Sequence, residues 1–176
     1  QSPSTHSSPL SVAVVQGNHN QHTKLNRRYW NSIVSKYFSL SDPYWTQDII
    51  LWPENLIPTP LSHKPAFEKR VKDAIGLHSG NLIVGLTERQ NTHYFNGMSM
   101  FNSNGRSKIA YQKELLMPFG EYIPFKSLFS VIGPKEILSK YVGFSHGVNP
   151  SLMTLNETPF STAICLESCF AAPLLK

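Results

Sequence analysis

The sequence predicts an α/β domain whose central sheet is buried on both faces. Three observations carry that expectation. Strand-like and helix-like segments alternate from Ser11 to Glu88. The strand-like runs are continuously apolar and β-branched, as in strands covered on both sides, rather than alternating. Beyond them, paired strand-like runs flank turn signals, so antiparallel pairs follow the alternating part.

The elements are expected in this order. "SVAVVQGN" (Ser11–Asn18) is a short apolar run ending in Gly and Asn, a buried strand. A helix follows, because Leu25, Tyr29, Trp30, Ile33, Val34, Tyr37 and Phe38 recur at three- and four-residue steps between polar residues. "SDP" at Ser41–Pro43 breaks it. "DIILWPEN" (Asp48–Asn55) is a second buried strand, stopped by Pro53. "PAFEKRVKDAIGLHSG" is a helix burying Phe67, Val71, Ala74 and Ile75 and ending at Gly80. "NLIVGLTE" (Asn81–Glu88) is the third buried strand. "NGMSMFNSNGRSKIAYQK" reads as two strands around the hairpin signal "NSNG". Pro124–Gly147 has no period and reads as a long functional excursion, with a short helical piece near Lys135–Tyr141. "SLMTL", a turn at "NET" and "FSTAIC" form a last strand pair that ends at Cys165, and "LESCFAAPLLK" opens as a helix.

Composition limits the function classes. The chain has 176 residues, 40% of them hydrophobic and 15% charged, which is a globular balance with room for a real core. Sixteen Lys and Arg against eleven Asp and Glu give a formal charge of +5. The basic residues are scattered, and no basic stripe interleaved with aromatics argues for nucleic acid. A mild attraction to anionic surfaces, phospholipid headgroups included, fits the charge. No apolar run approaches the roughly 20 residues that span a bilayer. "QSPSTHSSPL" is polar and reads as a linker or chain edge, not a signal peptide. Cys165 and Cys169 are too close in sequence to staple anything distant, and CxxxC without a companion His or Cys is a poor zinc signal.

Three polar residues stand at ends of apolar strands: Glu54, Lys113 and Cys165. That is where α/β folds place working side chains. A cysteine at a strand-to-helix elbow lies near unpaired N–H groups that favour thiolate. A carboxylate in an apolar pocket has a raised pKa and can take the thiol proton. A lysine beside them stabilises the oxyanion of a tetrahedral intermediate, with the N–H of Leu166 as a second donor. Cys169, one helical turn on, is expected to be ordinary packing. Taken singly, each of the three has a bland reading: a core cysteine, a turn glutamate, a solvated lysine.

Their surroundings favour chemistry. "ILWPEN", "AYQKELLMPFGEYIP" and "TAICLES" together resemble the nitrilase (carbon–nitrogen hydrolase) superfamily, with its Glu–Lys–Cys order. The "PFGEYIP" extension, "VVQGN" and "GFSHG" resemble its apolipoprotein N-acyltransferase branch. The resemblance implies Glu54 as general base, Lys113 as oxyanion-stabilising lysine and Cys165 as nucleophile. It implies supporting roles for Glu121, a further essential glutamate, and for Glu167, the acidic residue behind the nucleophile. Leu116, Met117, Phe119 and Tyr122 would exclude water and line an acyl chain's path. Leu166 stands where the family usually has an aromatic residue, and Leu25 near a usual tryptophan.

By resemblance the fold is a nitrilase-like α-β-β-α sandwich, incomplete at its C-terminus. Residues 1–10 would be the linker and 11–176 a partial nitrilase-like catalytic domain, which alone would leave apolar faces and sheet edges uncovered. The implied reaction moves a fatty acyl group from a phospholipid donor, through a cysteine thioester, to the N-terminal diacylglyceryl-cysteine of an apolipoprotein acceptor, and implies no metal and no organic cofactor. The implied place is the bacterial inner membrane, held by a segment outside this chain, with the catalytic domain facing the periplasm. A soluble amidase or nitrilase using the same triad, and a non-catalytic relative, are the alternatives.

Overall fold

The computed structural model describes residues 9–60, 65–76, 78, 80–125, 143–148, 153–155 and 158–169. Most of the expected excursion, its helical piece near Lys135–Tyr141, most of the "NET" turn, most of the expected linker and the end of the expected C-terminal helix lie outside these residues.

Five strands form one sheet in chain order. β1 (Val12–Val14), β2 (Ile49–Trp52) and β3 (Asn81–Gln90) run parallel, joined through helices. β4 (His93–Asn102) and β5 (Gly105–Gln112) add antiparallel to β3. The turn between them contains Gly105, whose φ of 112° few other residues adopt. A separate hairpin pairs β6 (Met153–Leu155) with β7 (Thr158–Phe160).

Two helices, α2 (Trp30–Ser41) and α3 (Pro65–Gly76), supply the residues that cover one face. Strand alternation sends Ile50, Trp52, Leu82, Val84 and Leu86 into that layer, against Ile33, Tyr37 and Phe38 of α2 and Phe67, Val71 and Ile75 of α3. Trp52 meets Phe38 edge-on at 5.2 Å between ring centroids. Its indole N–H donates to the Ser41 hydroxyl at 2.9 Å, which donates onward to the Tyr37 carbonyl, so this buried polar group is satisfied. On the other face Ile49, Ile83 and Tyr111 pack with Leu155 of the β6–β7 hairpin and Ile164.

The structure corrects several expectations. The first helix is broken: α1 (Gln21–Leu25) and a 3₁₀ turn at Arg27–Tyr29 precede α2, and Leu25 and Tyr29 are exposed. The Asn20 and Asn26 side chains cap these short pieces, which rewards separate starts over one continuous helix. β1 is an edge strand with Val12 and Val14 exposed, so the sheet is not covered throughout on both faces. α3 stops at Gly76 rather than Gly80. The last strand ends at Phe160, and Cys165 opens a 3₁₀ helix, Cys165–Cys169, after four irregular residues, 161–164.

Candidate active site

Pro53 cannot extend the ladder, so β2 ends and the chain turns at Glu54 and Asn55. Asn55 sits at φ 51°, a left-handed position that asparagine tolerates, and its side chain accepts from the Thr87 hydroxyl at 3.0 Å. The turn lies directly on β3. A Cβ on Gly85 would stand 2.5 Å from the Glu54 Cα, so only glycine lets the two backbones meet there. Glu54 is thus placed by backbone packing, with its side chain 37% exposed.

Lys113 follows β5. Its N–H donates to the Asn96 carbonyl at 2.8 Å, and its carbonyl accepts from Gly147 at 2.9 Å. The side chain is only 2% exposed, which overturns the solvated-lysine reading. A buried ammonium needs partners. Its Nζ lies 3.0 Å and 2.9 Å from the two oxygens of Glu121, and 3.9 Å from Glu54 Oε1. Asn96, buried on β4, joins the two carboxylates: its Nδ2 donates to Glu54 Oε1 and to Glu121 Oε1, each at 2.7 Å.

Glu121 closes a turn. Its N–H donates to the Met117 carbonyl at 2.8 Å, and its Oε2 accepts from the Met117 N–H at 2.8 Å. Burial pushes the Glu121 carboxyl up, but the hydrogen bonds from Met117, Lys113 and Asn96 outweigh it and hold the carboxyl below its ordinary value. Glu121 therefore stays ionised at neutral pH as the counter-ion of the buried lysine.

Cys165 is exposed and adopts φ 54°, a left-handed conformation that disfavours side chains. Glu167, two residues on, is completely buried. Its Oε2 accepts from the Ile164 N–H at 2.9 Å, just before the cysteine. Its Oε1 accepts from the Tyr111 hydroxyl at 2.8 Å and from the N–H groups of Glu114 and Leu115 at 2.7 and 3.0 Å. Burial, and then this carboxylate, push the Tyr111 hydroxyl far above its ordinary range, so it remains a donor. Glu167 thus ties the cysteine elbow to the chain around Lys113. Cys165 lines an open cleft of about 190 Å³ together with Glu54, Trp52, Met98 and Ile164. The N–H of Leu166 falls ahead of the first intrahelical bond of the elbow, from Glu167 N–H to the Ile164 carbonyl at 3.2 Å.

Curated relatives cover nearly the whole chain. An apolipoprotein N-acyltransferase of Photobacterium profundum is 32% identical over 177 residues, 95% of this chain and 34% of the relative. Its counterparts in Allorhizobium ampelinum and Vibrio vulnificus are each 30% identical, over 95% and 90% of this chain and 34% and 33% of their own lengths. A carbon–nitrogen hydrolase superfamily protein of Xanthomonas campestris shares the fold with a TM-score of 0.63 at 13% identity, over 92% of this chain and 55% of that one. A carbon–nitrogen hydrolase of Helicobacter pylori does so at 0.58 and 13%, over 93% and 54%. Over nearly its whole length the chain is similar to curated apolipoprotein N-acyltransferases, and its fold is that of carbon–nitrogen hydrolases. No family model matches it. It spans about a third of the length of the curated relatives it matches.

Among the N-acyltransferase residues expected from sequence, Glu54, Lys113 and Glu121 lie in one charge cluster, and Glu54 shares a cleft with Cys165. Cys169 is exposed rather than packed, because the 3₁₀ helix that carries it is short and lies at the surface. Of the apolar residues expected to line an acyl path, Leu116 is buried, Met117 is exposed and Phe119 is 66% exposed. No group of three or more His, Cys, Asp or Glu is placed to hold a metal ion among the described residues.

Sequence reasoning passed over Asn96. The available signal was an asparagine in the middle of a strand, a position that disfavours it. Asn96→Ala is expected to lower the acylation rate by about ten- to a hundredfold, since it removes two charge-assisted hydrogen bonds. Single-turnover acylation of the complete protein measures this, and an unchanged rate would remove Asn96 from the site.

Glu121 gives a second expectation. A depressed folded pKa adds stability that is fully present above the ordinary value of 4.5 and is lost as pH falls through the depressed one. Urea midpoints measured against pH should fall over that acid window, and Glu121→Gln should flatten the fall.

Proposed function

We propose that this chain carries the catalytic residues of a phospholipid-to-apolipoprotein N-acyltransferase. The observation that carries the reading is Glu54. The residue lines the cleft with Cys165, and its carboxylate belongs to the cluster of Lys113, Asn96 and Glu121. Glu54 takes the thiol proton and the sulfur attacks the ester carbonyl of the donor. Lys113 and the Leu166 N–H stabilise the oxyanion. The ester C–O bond breaks, and the departing lysophospholipid oxygen takes the proton from Glu54. The α-amine of the acceptor's diacylglyceryl-cysteine then attacks the thioester. Glu54 accepts the amine proton as the S–C bond breaks, and that proton returns to the sulfur. Because Asn96 holds Glu54 Oε1, the remaining oxygen is the one available for these transfers.

Exposed apolar side chains in the stretch that follows Lys113 suit a lipid substrate. Leu115, Met117, Phe119 and Phe125 are all exposed, Phe125 by 78%. The complete protein would work at the bacterial inner membrane with this site facing the periplasm. No helix among the described residues is long and apolar enough to cross a membrane.

The test is intact-mass analysis of the complete protein after incubation with phospholipid vesicles. A mass increase of one acyl group on Cys165, discharged by a diacylglyceryl-cysteine peptide with the acyl group recovered on its amine, is expected. Discharge to free fatty acid with no acylated peptide would replace this reading with a hydrolase.

A further inference from the structure

A second pocket, of about 460 Å³, opens beside the cysteine cleft. Gln16 and Pro53 line both. The rest of its wall is Asn18, His19, Asn20, Lys24, Tyr37 and Leu56. The mechanism above uses none of these residues.

Among the described residues the wall is rich in donors and has no carboxylate. Lys24 brings an ammonium group. The Tyr37 hydroxyl already accepts from the Gly17 N–H at 3.0 Å, which leaves its own proton to donate. Burial holds the Tyr37 hydroxyl above its ordinary range, so that proton stays in place. The Asn20 carbonyl oxygen is occupied by the Thr23 N–H and hydroxyl, each at 2.8 Å, which leaves its NH₂ group as the free end. The loop is braced as well: Lys36 Nζ donates to the Gly17 carbonyl at 2.8 Å.

His19 points to the kind of ligand. Its Nε2 is buried and has no hydrogen-bond partner among the described residues. A buried polar atom left in that state costs stability unless a ligand or water satisfies it. Burial, followed by the fields of Lys36 and Lys24, holds the imidazole below its ordinary range. The same positive field that opposes an imidazolium attracts an anion, and an anion would in turn relieve that opposition. Donor groups with no carboxylate among them, a positive field and an orphaned imidazole nitrogen together suit a phosphate group.

We propose that this pocket holds the phosphate of the acyl donor while its ester carbonyl lies at Cys165 in the adjoining cleft. The assignment rests on the acyltransferase reading. It makes Lys24 and His19 specificity residues for phosphate-bearing donors.

The test compares two donors on the complete protein: phosphatidylglycerol vesicles and a p-nitrophenyl ester of the same fatty acid. Lys24→Gln, and separately His19→Ala, should lower the ratio of kcat/KM for phospholipid over the neutral ester by about tenfold, mainly through KM, the effect of losing one charge-assisted hydrogen bond. Inorganic phosphate should compete with phosphatidylglycerol in the wild type and compete more weakly in either variant. An unchanged donor ratio in both variants overturns the assignment. If inorganic phosphate binding alone weakens while the donor ratio holds, the pocket takes free phosphate, and the donor assignment is again overturned. A wild type acylated by the ester but never by phospholipid overturns the acyltransferase reading, and this assignment with it.

Discussion

Cys165→Ser is expected to abolish acyl-thioester formation, by at least roughly a thousandfold, because a serine hydroxyl held in a site built for a thiol is a poor nucleophile at neutral pH. Cys169→Ser should leave most of it. Both cysteines are free and exposed, so accessibility alone does not separate them. Placement does. Cys165 lines the cleft with Glu54 and sits in a strained left-handed conformation, and strain of that kind collects at functional sites. Cys169 ends the short 3₁₀ helix. Intact-mass analysis of each variant after incubation with an acyl donor reads the result directly. Acylation that persists in Cys165→Ser and vanishes in Cys169→Ser would reverse the assignment.

Glu167→Ala is expected to cost roughly 3–5 kcal/mol of stability and to remove activity as well. Its carboxylate receives four donors from two separated stretches: Ile164 on one side, and Tyr111, Glu114 and Leu115 on the other. Truncation strands all four. Each buried, unmatched donor carries a penalty of about 1–3 kcal/mol, partly recovered by water and local shifts. Glu167→Gln should fall between, because its oxygen can still accept while its NH₂ group meets a donor head-on. Urea unfolding of the complete protein gives the stability, and acylation of Cys165 gives the activity. A full loss of acylation with unchanged stability would make Glu167 a participant in the chemistry rather than a brace.

Much of this arrangement was legible in the chain. "DIILW" and "NLIVG" are apolar enough to be strands under any packing, and β2 and β3 appear where expected. "NSNG" marked the β4–β5 turn through its glycine. Less legible was anything decided by short polar caps. Leu25 and Tyr29 fit the helical period, yet Asn20 and Asn26 restart the chain twice and leave both side chains in solvent. The cysteine elbow was expected at a strand end, but β7 stops at Phe160 and the hydrogen bond that Glu167 accepts from Ile164 fixes the elbow instead. For the candidate site, the motifs single out Glu54, Lys113, Cys165, Glu121 and Glu167 as the residues to examine. They do not single out Asn96, because its partners lie 42 and 25 residues away, and only the sheet brings them together.

The Glu167 brace also orders events in time. Tyr111 and Glu167 are 56 residues apart, so the elbow closes one of the longer loops in the domain. Long closures form late, after local strands and helices have already condensed. The sheet and its helical layer would therefore assemble first, with the ammonium of Lys113 waiting for the cysteine to arrive. The amide protons of Ile164, Glu114 and Leu115 should then exchange with solvent at one common rate, since a single opening releases all three. That opening would unmake the nucleophile's setting while the rest of the sheet stays folded.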